Sequence, residues 1–122
     1  MRVLLDTHVL LWAVLNDPRL TTDQAQAISE GEVYLSSASV WEIGIKRAIG
    51  KLDVPDDLFE IAVDAGCRPW PISWTHAEAA GALPRHHTDP FDRMLIAHAR
   101  CEGLSLASSD TKLGAYGVDL VG

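Results

Sequence analysis

The chain has 122 residues, 48% hydrophobic and 22% charged, with 10 Lys plus Arg against 17 Asp plus Glu, a formal charge of -7. That length supports one domain with a real core and not comfortably two, and the composition excludes a disordered or fibrous chain. The acid excess speaks against a phosphate binder of the usual basic kind, unless several acids share one site that metal ions neutralise.

In chain order, Arg2 to Leu5 reads as a short buried parallel strand ending at Asp6, followed by a helix over His8 to Leu15 that Asp17-Pro18 breaks. Asp6 and His8 interrupt the apolar opening MRVLLDTHVLLWAVL and no small-residue cleavage site follows, so it reads as folded structure and not as a secretory leader. Thr21-Thr22 offers caps for a helix through Ile28, closed near Gly31, and VYLS (33 to 36) is a second strand. SSASVWEIGIKRAIGKL (36 to 52) has a Ser cap and apolar residues at 41, 45, 48, 49 and 52, which predicts a helix with Trp41 in the core and Glu42 in the first turn. Asp56 and Asp57 start another helix that ends at Gly66. RPWPI (68 to 72) can be only an edge strand, because its prolines remove ladder donors. Thr75 is placed to cap a short helix that Pro84 stops, Asp89 to cap a long helix through Glu102, and Gly103 to close it. LSLAS (104 to 108) is a strand leading to Asp110, and a short helix and a last strand, GVDLV, complete the chain.

Strands alternating with helices predict an α/β fold in three layers, a mainly parallel central sheet flanked by helices, as a single domain over residues 1–122. No stretch approaches the roughly 18 apolar residues of a membrane span, so a soluble, cytoplasmic protein without a membrane segment is expected. Cys67 and Cys101 form neither a C-x-x-C pair nor a disulfide framework and read as buried free thiols.

In parallel sheets the site lies beyond the carboxyl ends of the strands. Four acids fall there. Asp6 follows the first strand, Glu42 begins the helix after the second, Asp92 begins the long helix before the next core strand, and Asp110 follows that strand. An acid in a helix's first turn has an ordinary explanation in the helix dipole. Asp6 does not, because it sits between VLL and an apolar run where an unpaired buried charge costs several kcal/mol. A carboxylate cluster repels itself unless protons or cations compensate, and Mg²⁺ or Mn²⁺ suits such oxygen ligands. Ions held there lower the pKa of a water and orient it for in-line attack on a phosphodiester.

The strings LLDTHVLLW (4 to 12), SSASVWEIGIKRAIGKL (36 to 52), HHTDPFDRMLIAHAR (86 to 100) and LASSD (106 to 110) resemble the PIN-domain nucleases, specifically the VapC-type toxins of toxin-antitoxin pairs, over nearly the whole length and in order. The resemblance implies a PIN-like fold and a Mg²⁺- or Mn²⁺-dependent endoribonuclease that cleaves RNA and is held inactive by a VapB-type antitoxin. It carries the acidic site onto Asp6, Glu42, Asp92 and Asp110 and gives Ser108 a role in positioning a metal-bound water. Ser109 departs from the pattern, standing where relatives often carry Arg.

Adjacent His86 and His87 lack zinc-site spacing and read, with Arg85 and Arg93, as a basic rim for RNA phosphate or as plain loop polarity. Lys46 is a further candidate RNA contact or an i,i+4 partner of Glu42. His98 reads as packing or surface, and His8 as a helix-start residue. Trp12, Trp70 and Trp74 are candidates for a homodimer interface or an antitoxin groove, an idea that burial of all three in the core would sink. A haloacid-dehalogenase-like phosphatase would need an acid where His8 stands. The alternative from another class is a catalytically silent PIN-like module that binds its antitoxin and acts in transcriptional autoregulation.

Overall fold

The alternation of strands and helices holds along a computed structural model that describes residues 1–122. The strands β1 (Arg2–Leu5), β2 (Glu32–Ser36), β3 (Arg68–Trp70), β4 (Ser105–Ala107) and β5 (Leu120–Val121) form one sheet in the order β3-β2-β1-β4-β5. Every pairing is parallel, with Leu4 opposite Tyr34 on one side and Leu106 on the other. β3 lies at an edge, where the missing N–H of Pro69 removes no interior ladder bond.

β1 is central, and its alternation sets the layers. Val3 and Leu5 face a core with Val9, Leu10, Leu35, Ile43 and Leu58, while Leu4 faces the other with Leu95, Ile96, Leu106 and Leu113. The helices α1 (Thr7–Val14) and α4 (Leu58–Asp64) cover the first face, and α5 (Trp74–Ala82) and α6 (Pro90–Glu102) the second. α2 (Thr22–Glu30) packs near β5, and α3 (Ser37–Ala48) reaches both cores through Ala38 and Ile43. A 3₁₀ helix spans Thr111–Tyr116.

Local chemistry fixes the ends. Thr21 caps α2 in a reciprocal box with Gln24, and Ser36 caps α3. Asp89 accepts from the Phe91 and Asp92 amides at 2.8 and 3.3 Å, Pro90 occupies the first position of α6, and Gly103 ends it at φ 67°. Three expectations are corrected. Ser73, not Thr75, caps α5, because the Ser73 hydroxyl reaches the His76 amide while His76 Nδ1 accepts from the Ser73 amide. Trp41 is not core: it is 65% exposed, with Ile45 and Ile49 also at the surface, since α3 buries Ala38, Ser39, Glu42 and Ile43 instead. Of the thiols, Cys67 is half-buried and Cys101 exposed.

His98 is fully buried on α6, and its unexpected surroundings tie three elements together. Its Nδ1 lies 3.0 Å from Ser36 Oγ, its ring stacks on His76 at 4.3 Å and meets the Trp70 edge at 5.6 Å, and its Nε2 has no hydrogen-bond partner. His76 Nε2 in turn donates to Glu102 at 2.9 Å. Burial, then the neighbouring His76, push the His98 pKa down to about 4 from its ordinary 6.5, with Glu102 opposing. Between those values the unfolded chain binds a proton that the folded chain does not, so acidification favours unfolding. Urea unfolding from pH 6.5 to 4 is therefore expected to show a stability loss from this group of about 1.4 kcal/mol per pH unit, absent from His98→Phe. At the other end of α6, Asp89→Ala is expected to lower stability by about 1 kcal/mol in the same measurement, from loss of the cap.

Candidate active site

The carboxyl ends of β1 and β4 are where the strand order reverses direction, and the chain leaves both strands into acids. Asp6 continues the ladder by donating its amide to Ala107 O at 3.0 Å, then caps α1, its Oδ1 accepting from the Val9 amide at 2.8 Å. Its side chain is buried, the residue only 5% exposed. Burial raises its pKa above the ordinary carboxylate value; the Ser108 hydroxyl, the Val9 amide and His8 oppose this, while the Glu42 charge adds to it.

Glu42 is equally buried at 4% exposure, and it stands in the second turn of α3 because that helix begins at Ser37, not earlier. Both its oxygens have partners: the Thr7 hydroxyl donates to Oε1 at 2.6 Å, and Lys46 Nζ lies 3.1 Å from Oε2. Thr7 also meets Ser39 Oγ at 3.0 Å, so the first residue of α1 fixes an acid of α3. Asp92 stands half-buried in the first turn of α6, where burial raises its pKa; a hydrogen bond from His87 lowers it, and the charges of Asp89 and Asp6 raise it. Asp110 caps the 3₁₀ helix through Lys112 N at 3.0 Å, and its own amide donates to Ser108 Oγ at 3.1 Å.

The four expected acids are thus neighbours. The charge of Asp6 couples with Glu42 on one side and Asp92 on the other, and one ligand atom each of Asp92, Asp110 and His87 lie within 4.8 Å of one another. Buried Ser108 sits between Asp6 and Asp110. Ser109 Oγ accepts from buried Gln24 Nε2 at 2.9 Å, which anchors the Asp110 loop to α2.

Of the four residues expected at RNA, two stand free and two are engaged. Arg85 is exposed, and His86 is exposed with its ring against Tyr116 at 5.1 Å. Lys46 pairs with Glu42. Arg93 is engaged within the fold: its two terminal nitrogens donate to the carbonyls of Ala80, Leu83, Pro84 and His87 at 2.9 to 3.3 Å, stapling the loop before α6. Trp74 is 82% exposed while Trp12 and Trp70 are half-buried against the cores, and His8 is exposed close to Asp6.

Thr7 was not singled out by sequence reasoning, and His87, read there as phosphate rim or loop polarity, was not expected against an acid. Thr7 has only its place after Asp6 as a signal, and His87 only its place five residues before Asp92. Lys46 is the one lysine or arginine paired with any of the four acids, so Asp6, Asp92 and Asp110 form an oxygen-rich centre without a fixed cation. Asp6 and Asp92, pushed toward protonation by burial and by neighbouring acids, fit a hard divalent ion, which relieves both effects.

No curated protein matches the chain in sequence. Three solved structures share the fold across almost the full length of both chains. VapBC2 of Rickettsia felis, solved bound to a DNA fragment from its promoter, is 15% identical with a TM-score of 0.73 over 98% of this chain and 97% of that one. A toxin-antitoxin complex of Klebsiella pneumoniae is 21% identical with a TM-score of 0.69 over 98% and 96%. FitAcB of Neisseria gonorrhoeae is 19% identical with a TM-score of 0.66 over 98% and 96%. The PIN domain profile matches residues 3–118, and with the all-parallel sheet and the acids at its carboxyl edge this establishes that the chain belongs to the PIN domain family.

Proposed function

We propose that this chain, as a single PIN-like domain over residues 1–122, is the toxin of a toxin-antitoxin pair and a Mg²⁺- or Mn²⁺-dependent endoribonuclease. The observation that carries the reading is Asp6: a carboxylate withdrawn from water, beside other acids, with no lysine or arginine against it. Family membership in a group of nucleases and fold neighbours that are toxin-antitoxin complexes support the same assignment. They also support a VapB-type antitoxin as partner.

Asp6, Glu42, Asp92 and Asp110 would hold the ion or ions. Bound there, a divalent ion supplies an acidified water and stabilises the charge on the leaving oxygen. The chain's own residues do the rest. Asp6 is immobilised by its cap bond to Val9, and Glu42 by Thr7, so two carboxylates are held before any ligand arrives. Ser108 offers a hydroxyl between Asp6 and Asp110 to position a water. Beside Glu42 a groove of about 470 Å³, lined by Ile45, Lys46, Ile49, Lys51 and Phe91 among others, is open to substrate. Exposed Lys51 in that groove and exposed Arg85 in the loop before α6 give RNA phosphate local positive charge that the net charge of -7 does not, while Lys46 stays engaged by Glu42. The exposed stripe of Trp41, Ile45 and Ile49 supports pairing with a protein partner, the antitoxin or a second copy of the chain.

The decisive measurement is cleavage of RNA by the purified chain with and without EDTA. Activity is expected to disappear on chelation and return with Mg²⁺ or Mn²⁺, and to be lost by at least about a hundredfold in Asp6→Asn and in Asp92→Asn while Asp89→Ala retains it. Asp6→Asn keeps a capping oxygen and removes a buried charge, so its melting temperature without metal is expected to rise. Cleavage that persists in EDTA, or in Asp6→Asn, overturns the mechanism. Ion binding without any cleavage favours the silent antitoxin-binding module instead.

A further inference from the structure

Two adjacent histidines precede α6, and the structure sends them in different directions. His86 packs its ring on Tyr116, whereas His87 turns to the acids, its Nε2 2.8 Å from Asp92 Oδ2. The backbone of His87 is held from two sides: its carbonyl accepts from Arg93 Nη1 at 3.3 Å and from the Tyr116 hydroxyl at 3.5 Å. Arg93 simultaneously gathers the carbonyls of Ala80, Leu83 and Pro84. A loop that could have been loose polar chain is thereby clamped between α5, α6 and the 3₁₀ helix, with one imidazole delivered to the carboxylates. One ligand atom from each of His87, Asp92 and Asp110 falls within a 4.8 Å cluster, and all three side chains are half-buried.

We propose that His87 is a nitrogen ligand of the ion held by Asp92 and Asp110, and that it makes this centre favour Mn²⁺ over Mg²⁺. The inference rests on the metal-dependent reading above and adds a ligand and a preference to it. Its chemistry is that of donor hardness. Mg²⁺ binds oxygen almost exclusively and keeps its waters, whereas a neutral imidazole adds affinity for Mn²⁺ and for the later divalent ions without adding charge. In the ion-free chain the imidazole hydrogen-bonds Asp92; to bind, it presents the Nε2 lone pair and carries its proton on Nδ1. An ion there would replace the hydrogen shared by His87 and Asp92, with Asp110 already in the same cluster.

Pulsed EPR of Mn²⁺ bound to the full chain tests this directly, because an imidazole nitrogen in the coordination sphere modulates the echo and a hydrogen-bonding imidazole beyond it does not. The wild type is expected to show the ¹⁴N modulation, His86→Ala to keep it, and both His87→Ala and His87→Gln to lose it. In calorimetric titrations the two His87 variants are expected to lose about tenfold or more in Mn²⁺ affinity and much less in Mg²⁺ affinity. Bound Mn²⁺ with no nitrogen modulation, or modulation that survives in the His87 variants, overturns the assignment while leaving the metal-dependent reading intact. Absence of Mn²⁺ binding overturns both.

Discussion

Everything at the carboxyl edge of the sheet depends on one carboxylate taken out of water at the end of the central strand. Asp6 is the last ladder residue of β1 and the cap of α1, so its position is fixed by backbone bonding on one side and a helix terminus on the other. Strand β1 is apolar on both faces, which leaves the acid no route to solvent along the sheet. Two hydrogen-bond donors, the Val9 amide and the Ser108 hydroxyl, soften the penalty, and Glu42 makes it worse. A buried charge left in that condition is an electrostatic debt in the fold, and a divalent ion is the ligand that would discharge it.

The other acids reach the same place by different local means, and the framework that brings them together is itself polar and buried. Glu42 is neutralised in advance by Lys46 and oriented by Thr7, which joins α1 to α3. The cap of α3, Ser36, meets His98 of α6, and His98 stacks on His76 of α5, which bonds Glu102 at the end of α6. The two helices that carry Glu42 and Asp92 are therefore linked by a side-chain ladder as well as by apolar contact. Burial and the neighbouring His76 hold His98 in that ladder toward its neutral form. Rigid elements supported in this way keep carboxylates that repel each other from relaxing apart.

The fold was readable because its signals are local. Period and caps locate the strands and most helices, and the prolines of RPWPI put β3 at an edge. Asp6, Glu42, Asp92 and Asp110 were legible as a set because each follows or precedes a core strand, and a parallel sheet brings such positions to one edge. What could not be read were roles set by three-dimensional partners. Nothing in "HHT" distinguishes the histidine that packs on Tyr116 from the one that meets Asp92, since the difference is made by Arg93 and Tyr116 gripping one carbonyl. The engagement of Arg93 was hidden for the same reason: the carbonyls that take its donors lie up to 13 residues away.

α3 carries the most instructive conflict between pattern and packing. Its apolar stripe, Trp41, Ile45 and Ile49, has the spacing of a core face and nevertheless points outward, while its polar residues Ser39 and Glu42 are buried. Periodicity reports which face of a helix is uniform; it does not report which face the rest of the chain needs. Here the interior position is claimed by Glu42, because Thr7, itself met by Ser39, and Lys46 satisfy the carboxylate there and Asp6 lies close by. Trp41 is turned out beside Glu42 and meets the edge of Phe91 at 5.4 Å, whereas Ile45 and Ile49 lie on the same side of the helix as Glu42 and are exposed because α3 buries no residue after Ile43. The exposed apolar surface of α3 thus lies where the helix has run past both cores, and the side chains left in water there forgo the stability that burial supplies.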